Sequence, residues 1–166
     1  KSYYQLHIDF KTIDSMGANF INSCLEIIAK KFNQLMNDST KFKESEKKIE
    51  VIMSILSNYT PECIVESSLE CEIGDLGDID SMSSKEFAFR FKDAFDIADI
   101  DINRAVTHNK GIMNGIDAVL ISTGNDFRAV EAGVHAFASS NGKYKSLPEC
   151  SIIDNIFKIS LKIPLS

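Results

Sequence analysis

The chain has 166 residues and a formal net charge of −6; 44% of its residues are hydrophobic and 25% charged. That is enough apolar material for a real core in one domain, or in pieces of two. Between Ile49 and Ser84 there is no Lys or Arg, while Glu62, Glu66, Glu70, Glu72, Asp75, Asp78 and Asp80 accumulate, a surface that repels phosphate backbones and argues against a nucleic-acid partner.

Tyr3 to Phe10 alternates and is aromatic-rich, which predicts a strand. Asp14-Ser15-Met16-Gly17-Ala18-Asn19 then leads into a long helix whose stripe is Phe20, Ile21, Cys24, Leu25, Ile28, Phe32 and Leu35, with Asp14 or Ser15 as N-cap. Residues 37–48 are polar and read as an exposed loop. Two further strands are expected, Ile49 to Leu56 and Cys63 to Ile73, joined by a turn at Ser57-Asn58-Tyr59-Thr60-Pro61. An acidic loop follows, and Ser83 with Glu86 three residues on forms a capping-box signature that opens a second helix with Phe87, Ala88, Phe91, Phe95 and Ala98. The order to this point predicts an α+β layer with an antiparallel-rich sheet and helices on one face.

The pattern changes after Asp99, and a domain change is placed near residues 99–103. Buried helices are expected over Asn114 to Thr123 and Phe127 to Ala138, broken at Gly124-Asn125-Asp126. Lys143 to Ser151 and Asn155 to Leu165 read as a terminal hairpin bent at Asp154-Asn155. The cysteines Cys24, Cys63, Cys71 and Cys150 form no C-x-x-C pair and no zinc-like cluster, so reduced thiols in a cytoplasmic setting and no metal are expected. No apolar run reaches the length of a membrane span. The first residue is Lys rather than Met and Ser2 to Phe10 already reads as a strand, so the chain reads as an internal piece of a longer protein.

Five features carry possible chemistry, each with a plainer alternative. The turn at Asp14 to Asn19 presents free amides and the positive end of a helix dipole to a phosphate, or is an ordinary helix start. Lys110, in Asn109-Lys110-Gly111, can hold negative charge developing on a carbonyl oxygen when hydride arrives, or is a surface lysine. Asp126 is an N-cap, or an acid sharing a proton network with Lys110 across one helix and a turn. Arg104 pairs with a carboxylate in bidentate fashion, or is a helix-end cation. His108 and His135 are the remaining titratable candidates, more often structural than catalytic.

The runs Thr107-His108-Asn109-Lys110-Gly111-Ile112-Met113-Asn114-Gly115, Thr123-Gly124-Asn125-Asp126 and Arg128-Ala129-Val130-Glu131-Ala132-Gly133 closely resemble class II (bacterial-type) 3-hydroxy-3-methylglutaryl-coenzyme A (HMG-CoA) reductase. Asp14 to Asn19 resembles the same family's D-A-M-G-A-N cofactor motif, with Ser15 in place of alanine, and Phe127 stands where a tryptophan is common. Lys143-Tyr144-Lys145-Ser146-Leu147 and Ile163-Pro164-Leu165 fit as well.

The resemblance implies an oxidoreductase that interconverts HMG-CoA with mevalonate and free coenzyme A, using NADH or NADPH in two hydride transfers. It implies Lys110 and Asp126 as catalytic residues, and Arg104 and Asn114 as substrate-holding ones. Asp14, Ser15, Met16, Gly17, Ala18 and Asn19 would form the cofactor site, with Ser57 and Asn58 beside it. It further implies a ferredoxin-like, non-Rossmann cofactor domain in residues 1–100, and in residues 101–166 a helical and β-hairpin part of a larger substrate domain. A homodimer or higher homo-oligomer, with active sites at the subunit interface and no membrane attachment, belongs to the same expectation. The family's catalytic glutamate falls before this segment and its catalytic histidine after it, so the 166 residues alone are expected to be inactive. The alternative is a non-catalytic binding or assembly module that keeps the reductase fold.

Overall fold

The computed structural model describes residues 2–165, and packing divides the chain between Ser57 and Asn58 into two compact units. In the first unit one helix dominates, α1 (Ala18–Asp38). Phe10 packs edge-on against Phe20 at 6.2 Å, and the Leu56 N–H donates to Asn22 Oδ1 at 2.9 Å, so the extended segments on both sides of α1 lean on it. Neither segment is a strand. Residues 3–10 and 49–56 carry the expected alternation, but a strand exists only where a neighbour takes up its backbone hydrogen bonds, and none does so among the described residues. Their large side chains stay exposed, Tyr3, Tyr4, Leu6, Ile52, Met53 and Ile55 among them.

The cap of α1 also differs from expectation. Gly17, not Asp14 or Ser15, is the N-cap, in the left-handed region at φ 64°, and its N–H donates to Ser15 Oγ at 3.1 Å. Ser15 therefore braces the turn before the helix instead of capping its first amides.

The second unit is α+β. It contains β1 (Ile64–Glu72), a short 3-10 turn at Ile73–Leu76, and helices α2 (Ser84–Ile100), α3 (Ile102–Ser122) and α4 (Phe127–Ala138). A hairpin of β2 (Pro148–Ile153) and β3 (Ile156–Pro164) follows. The sheet is antiparallel throughout in the order β1-β3-β2, with Cys71 opposite Phe157 and Ile152 opposite Phe157 on the other side. Asp154 and Asn155 both have positive φ, 50° and 68°, as a tight two-residue hairpin turn demands.

Alternate residues of β3 face the helices. At one end Phe157 joins Ile73 of the 3-10 turn and Ala88 of α2, with Phe91, Ile152 and Ile159 around them. At the other, Ile163 joins Met113 and Leu120 of α3, Val130, Val134 and Ala138 of α4, and Leu147.

Ser83 Oγ accepts from the Glu86 N–H at 3.2 Å, as the capping signature predicts. Asp101 ends α2 and begins α3, its side chain accepting from the Asn103 N–H at 3.0 Å. The change of pattern near residues 99–103 is thus a one-residue joint between two helices that pack on each other. α3 is longer than expected, starting before Arg104, and it is buried along one stripe only; Val106, Val119 and Ile121 are exposed. The residues around Lys110, ahead of the helix start expected at Asn114, are helical.

Candidate active site

The turn before α1 is built for close approach. A Cβ at Gly17 would lie 3.0 Å from Thr12 Cγ2, and φ is positive there, so only glycine sits without strain. No side chain caps the helix start, which leaves the first-turn N–H groups of Ala18, Asn19 and Phe20 open to an anion. Asp14, Ser15 and Asn19 are exposed; Met16, Gly17 and Ala18 are half-buried. Ser57 closes the first unit and Asn58 opens the second. The Asn58 carbonyl oxygen lies where a Cβ on Gly133 of α4 would come within 3.0 Å of it, so glycine in the Arg128–Gly133 motif lets backbone meet backbone.

On α3, Arg104, Lys110 and Asn114 are exposed. Lys110 and Asn114 are four residues apart and therefore neighbours on the helix surface. With its amide turned to satisfy both partners, Asn114 places Oδ1 3.3 Å from Lys110 Nζ and donates its N–H to the Lys110 carbonyl at 3.3 Å. One turn earlier, Arg104, Thr107, His108 and Gly111 form one wall of a groove of about 340 Å³, and Ala94 and Ala98 of α2 form the other. His108 meets Phe95 edge-on at 4.7 Å, and its shielded Nε2 has no hydrogen-bond partner among the described residues. Burial, and then the Arg104 guanidinium, lower its pKa, so the neutral imidazole is favoured.

Asp126 caps α4. Its Oδ1 accepts from the N–H groups of Arg128 at 3.2 Å and Ala129 at 3.3 Å, and from Arg128 Nε at 3.4 Å. The Ala129 N–H, followed by the Arg128 charge, holds this carboxyl below the usual carboxylate range, so it is ionised at neutral pH. It lines a separate open depression of about 380 Å³ with Gly124, Asn125, Phe127 and Arg128.

Lys110 and Asp126 are not joined within the chain, and among the described residues no hydrogen bond or ion pair links them. Lys110 stands twelve residues before the end of α3 at Ser122, about 18 Å of axial rise at 1.5 Å per residue, and Asp126 lies in the turn beyond that end. One helix and a turn thus leave the two without a direct contact among the described residues. His135 is structural here, its Nδ1 2.9 Å from the Tyr144 hydroxyl. One residue was missed altogether. Asn109 is fully buried, and the signal for it was a single amide on the Ala105–Met113 stripe of α3.

The whole chain, residues 1–166, matches the family described as Hydroxymethylglutaryl-coenzyme A reductase. It is 36% identical over 163 residues to a probable 3-hydroxy-3-methylglutaryl-coenzyme A reductase of Borreliella burgdorferi, covering 97% of this chain and 35% of that protein. The corresponding reductase of Archaeoglobus fulgidus is 34% identical over 142 residues, 86% of this chain and 28% of that protein. Among solved structures, the Streptococcus pneumoniae reductase is 36% identical with a TM-score of 0.78, covering 93% of this chain and 39% of that one. A further Streptococcus pneumoniae structure, with the same TM-score of 0.78, is described as a class II reductase bound to NADPH in open conformations. The chain belongs to the hydroxymethylglutaryl-coenzyme A reductase family. Within that family its likeness is to the class II enzymes, and it spans about a third of the length of the relatives it matches.

Proposed function

We propose that this chain supplies the nicotinamide-binding turn and the lysine- and aspartate-bearing helices of a cytoplasmic reductase that interconverts HMG-CoA with mevalonate and coenzyme A. The unit of residues 1–57, which carries that turn, belongs to its cofactor domain, ferredoxin-like in plan, and α3, α4 and the β2–β3 hairpin belong to its substrate domain. The boundary expected near residue 100 gives way to the division after Ser57, because β1 and α2 pack with β3 and α3. The observation that carries the reading is the Lys110–Asn114 pair on α3, an exposed ammonium held by a neighbouring amide one helical turn away, in a chain matched end to end by the reductase family.

The Gly17 turn and the uncapped amides of α1 fit a dinucleotide's phosphates. NADH or NADPH held at this turn would supply hydride to the acyl carbon, or take it back in the reverse direction. Lys110 stabilises the negative charge that appears on the thioester and then the hemithioacetal oxygen, and Asn114 holds its ammonium in place. Arg104 pairs with the carboxylate of the glutaryl portion. Asp126, ionised at its cap, tunes the lysine and takes part in proton transfer.

The 18 Å between Lys110 and the end of α3 decides how these groups combine. In a homodimer whose sites lie at the subunit interface, Lys110 of one subunit meets the partner subunit's Asp126. The longer protein carrying this chain provides the test, because the glutamate and histidine implied by family resemblance fall outside residues 1–166. Lys110→Met is expected to lower kcat by about 100- to 1,000-fold, the equivalent of roughly 3–4 kcal/mol of oxyanion stabilisation, with cofactor affinity unchanged. Near-normal turnover in that variant would remove the lysine from the chemistry. The 166-residue chain alone is expected to give no turnover.

A further inference from the structure

We propose that Asn109 is a positioning residue for Lys110, an inference that rests on the reading of Lys110 as the charge-stabilising group. The buried stripe of α3 runs Ala105, Asn109, Met113 and Leu120, and only Asn109 in it is polar. Its side chain is fully buried and both its polar atoms are used on one partner segment. Nδ2 donates to the Lys145 carbonyl at 2.8 Å, and Oδ1 accepts from the Leu147 N–H at 2.9 Å.

That partner segment, residues 143–147, is itself tied down. The Lys145 N–H donates to the Ala138 carbonyl at the end of α4 (3.0 Å), and Lys143 Nζ donates to the Ile100 carbonyl at the end of α2 (3.0 Å). Lys145 Nζ pairs with Asp99 at 3.2 Å.

A leucine or methionine in its place would leave the Lys145 carbonyl and the Leu147 N–H without a partner, a cost at each buried group, so the amide also contributes to stability. What a leucine or methionine would not supply is a fixed address. Apolar contacts let a helix turn and slide by small amounts, whereas two antiparallel hydrogen bonds to one strap set both its rotation and its height. Lys110 is the next residue, so its Cα is placed when Asn109 is placed. Asn114 then holds the far end of the same side chain. The lysine is thus fixed at its root by a buried amide and at its tip by a surface one, and the strap connects that root to α2 and α4.

The test compares Asn109→Ala and Asn109→Asp with Val134→Ala in the longer protein, measuring kcat and KM per folded molecule. Val134 is fully buried, in the core cluster that includes Met113 and Leu147, and has no role in the proposed chemistry. Asn109→Ala is expected to lower kcat about ten- to a hundredfold with the nicotinamide KM unchanged, while Val134→Ala keeps its kcat. In Asn109→Asp the buried carboxylate would face the Lys145 carbonyl, raising its pKa, and only the protonated acid can donate there while accepting from Leu147. Its kcat relative to wild type is therefore expected to rise as pH falls. Wild-type kcat in folded Asn109→Ala, or an equal loss in Val134→Ala, would overturn the assignment. If Asn109→Ala does not fold, the absence of acid recovery in Asn109→Asp overturns it instead. Lys110→Met separates the two claims. An inactive Lys110→Met beside a fully active Asn109→Ala sinks only the positioning role, whereas an active Lys110→Met sinks the lysine reading and this inference with it.

Discussion

Asp126 shows how one carboxylate can hold a helix and still be available for chemistry. Its Oδ1 takes the capping bonds of α4 while the side chain remains open to solvent. Asn is as good a cap as Asp but carries no charge and accepts no proton. Asp126→Asn is therefore expected to keep the thermal midpoint of the protein while lowering turnover by at least about tenfold; equal loss of both would mean the residue is a cap and nothing more. His108 gives a pH signature. Its folded-state pKa lies below the ordinary value of about 6.5, so the unfolded chain takes up the proton first. Its contribution to stability is complete above that value and is lost as pH falls toward the folded-state pKa. Urea midpoints between pH 7.5 and 5.5 should drop in the wild type and drop less in His108→Gln; identical slopes would contradict the burial argument. The sequence made the individual groups legible, since Lys110 and Asn114 sit four apart and Asp126 follows a glycine break. It did not reveal that α3 runs unbroken from Ile102 past Lys110, because Gly111 among amide-bearing neighbours gives no helical signal yet is tolerated on an exposed helix face.

At the scale of elements, β3 does the most for the fold, because it pairs on both sides and its inward residues anchor both core clusters. Phe157, 2% exposed between Ile73, Ala88 and Phe91, fills the end of the sheet under α2. Phe157→Ala should cost about 3–5 kcal/mol in denaturant unfolding, a large share of the 5–15 kcal/mol that a domain typically has. A cost below about 1 kcal/mol would mean that the α2–sheet contact contributes little. The hairpin, the capped start of α2 and the helix after Asp126 could be read from turn and cap residues, which act within a few positions of themselves. The two expected strands that do not form show the limit of such reading. Alternation at residues 3–10 and 49–56 tells which side chains share a face, but pairing needs a second backbone, and local pattern does not say whether one is at hand. The same holds for β1, whose neighbour β3 lies more than eighty residues away in sequence.

Taken whole, the chain leaves much apolar surface open. α1 has no buried residue, and Phe20, Ile27 and Leu35 on it are exposed, as are Val119 and Ile121 on α3. Surfaces of this kind mark protein contacts, and the 166-residue chain alone should self-associate in light scattering as its concentration rises. No helix among the described residues is long and apolar enough to cross a membrane. The separation along α3 then gives the proposed dimer a functional reason. Mixing two impaired variants of the longer protein, Lys110→Met and Asp126→Asn, is the most direct measurement of the account. If each site takes its lysine from one subunit and its aspartate from the other, a mixed dimer holds one intact site and one site lacking both groups. Exchange of subunits should then restore up to about a quarter of wild-type activity, half the dimers being mixed and half their sites intact. Activity that stays at the level of the separate variants after subunit exchange is verified would contradict the shared site.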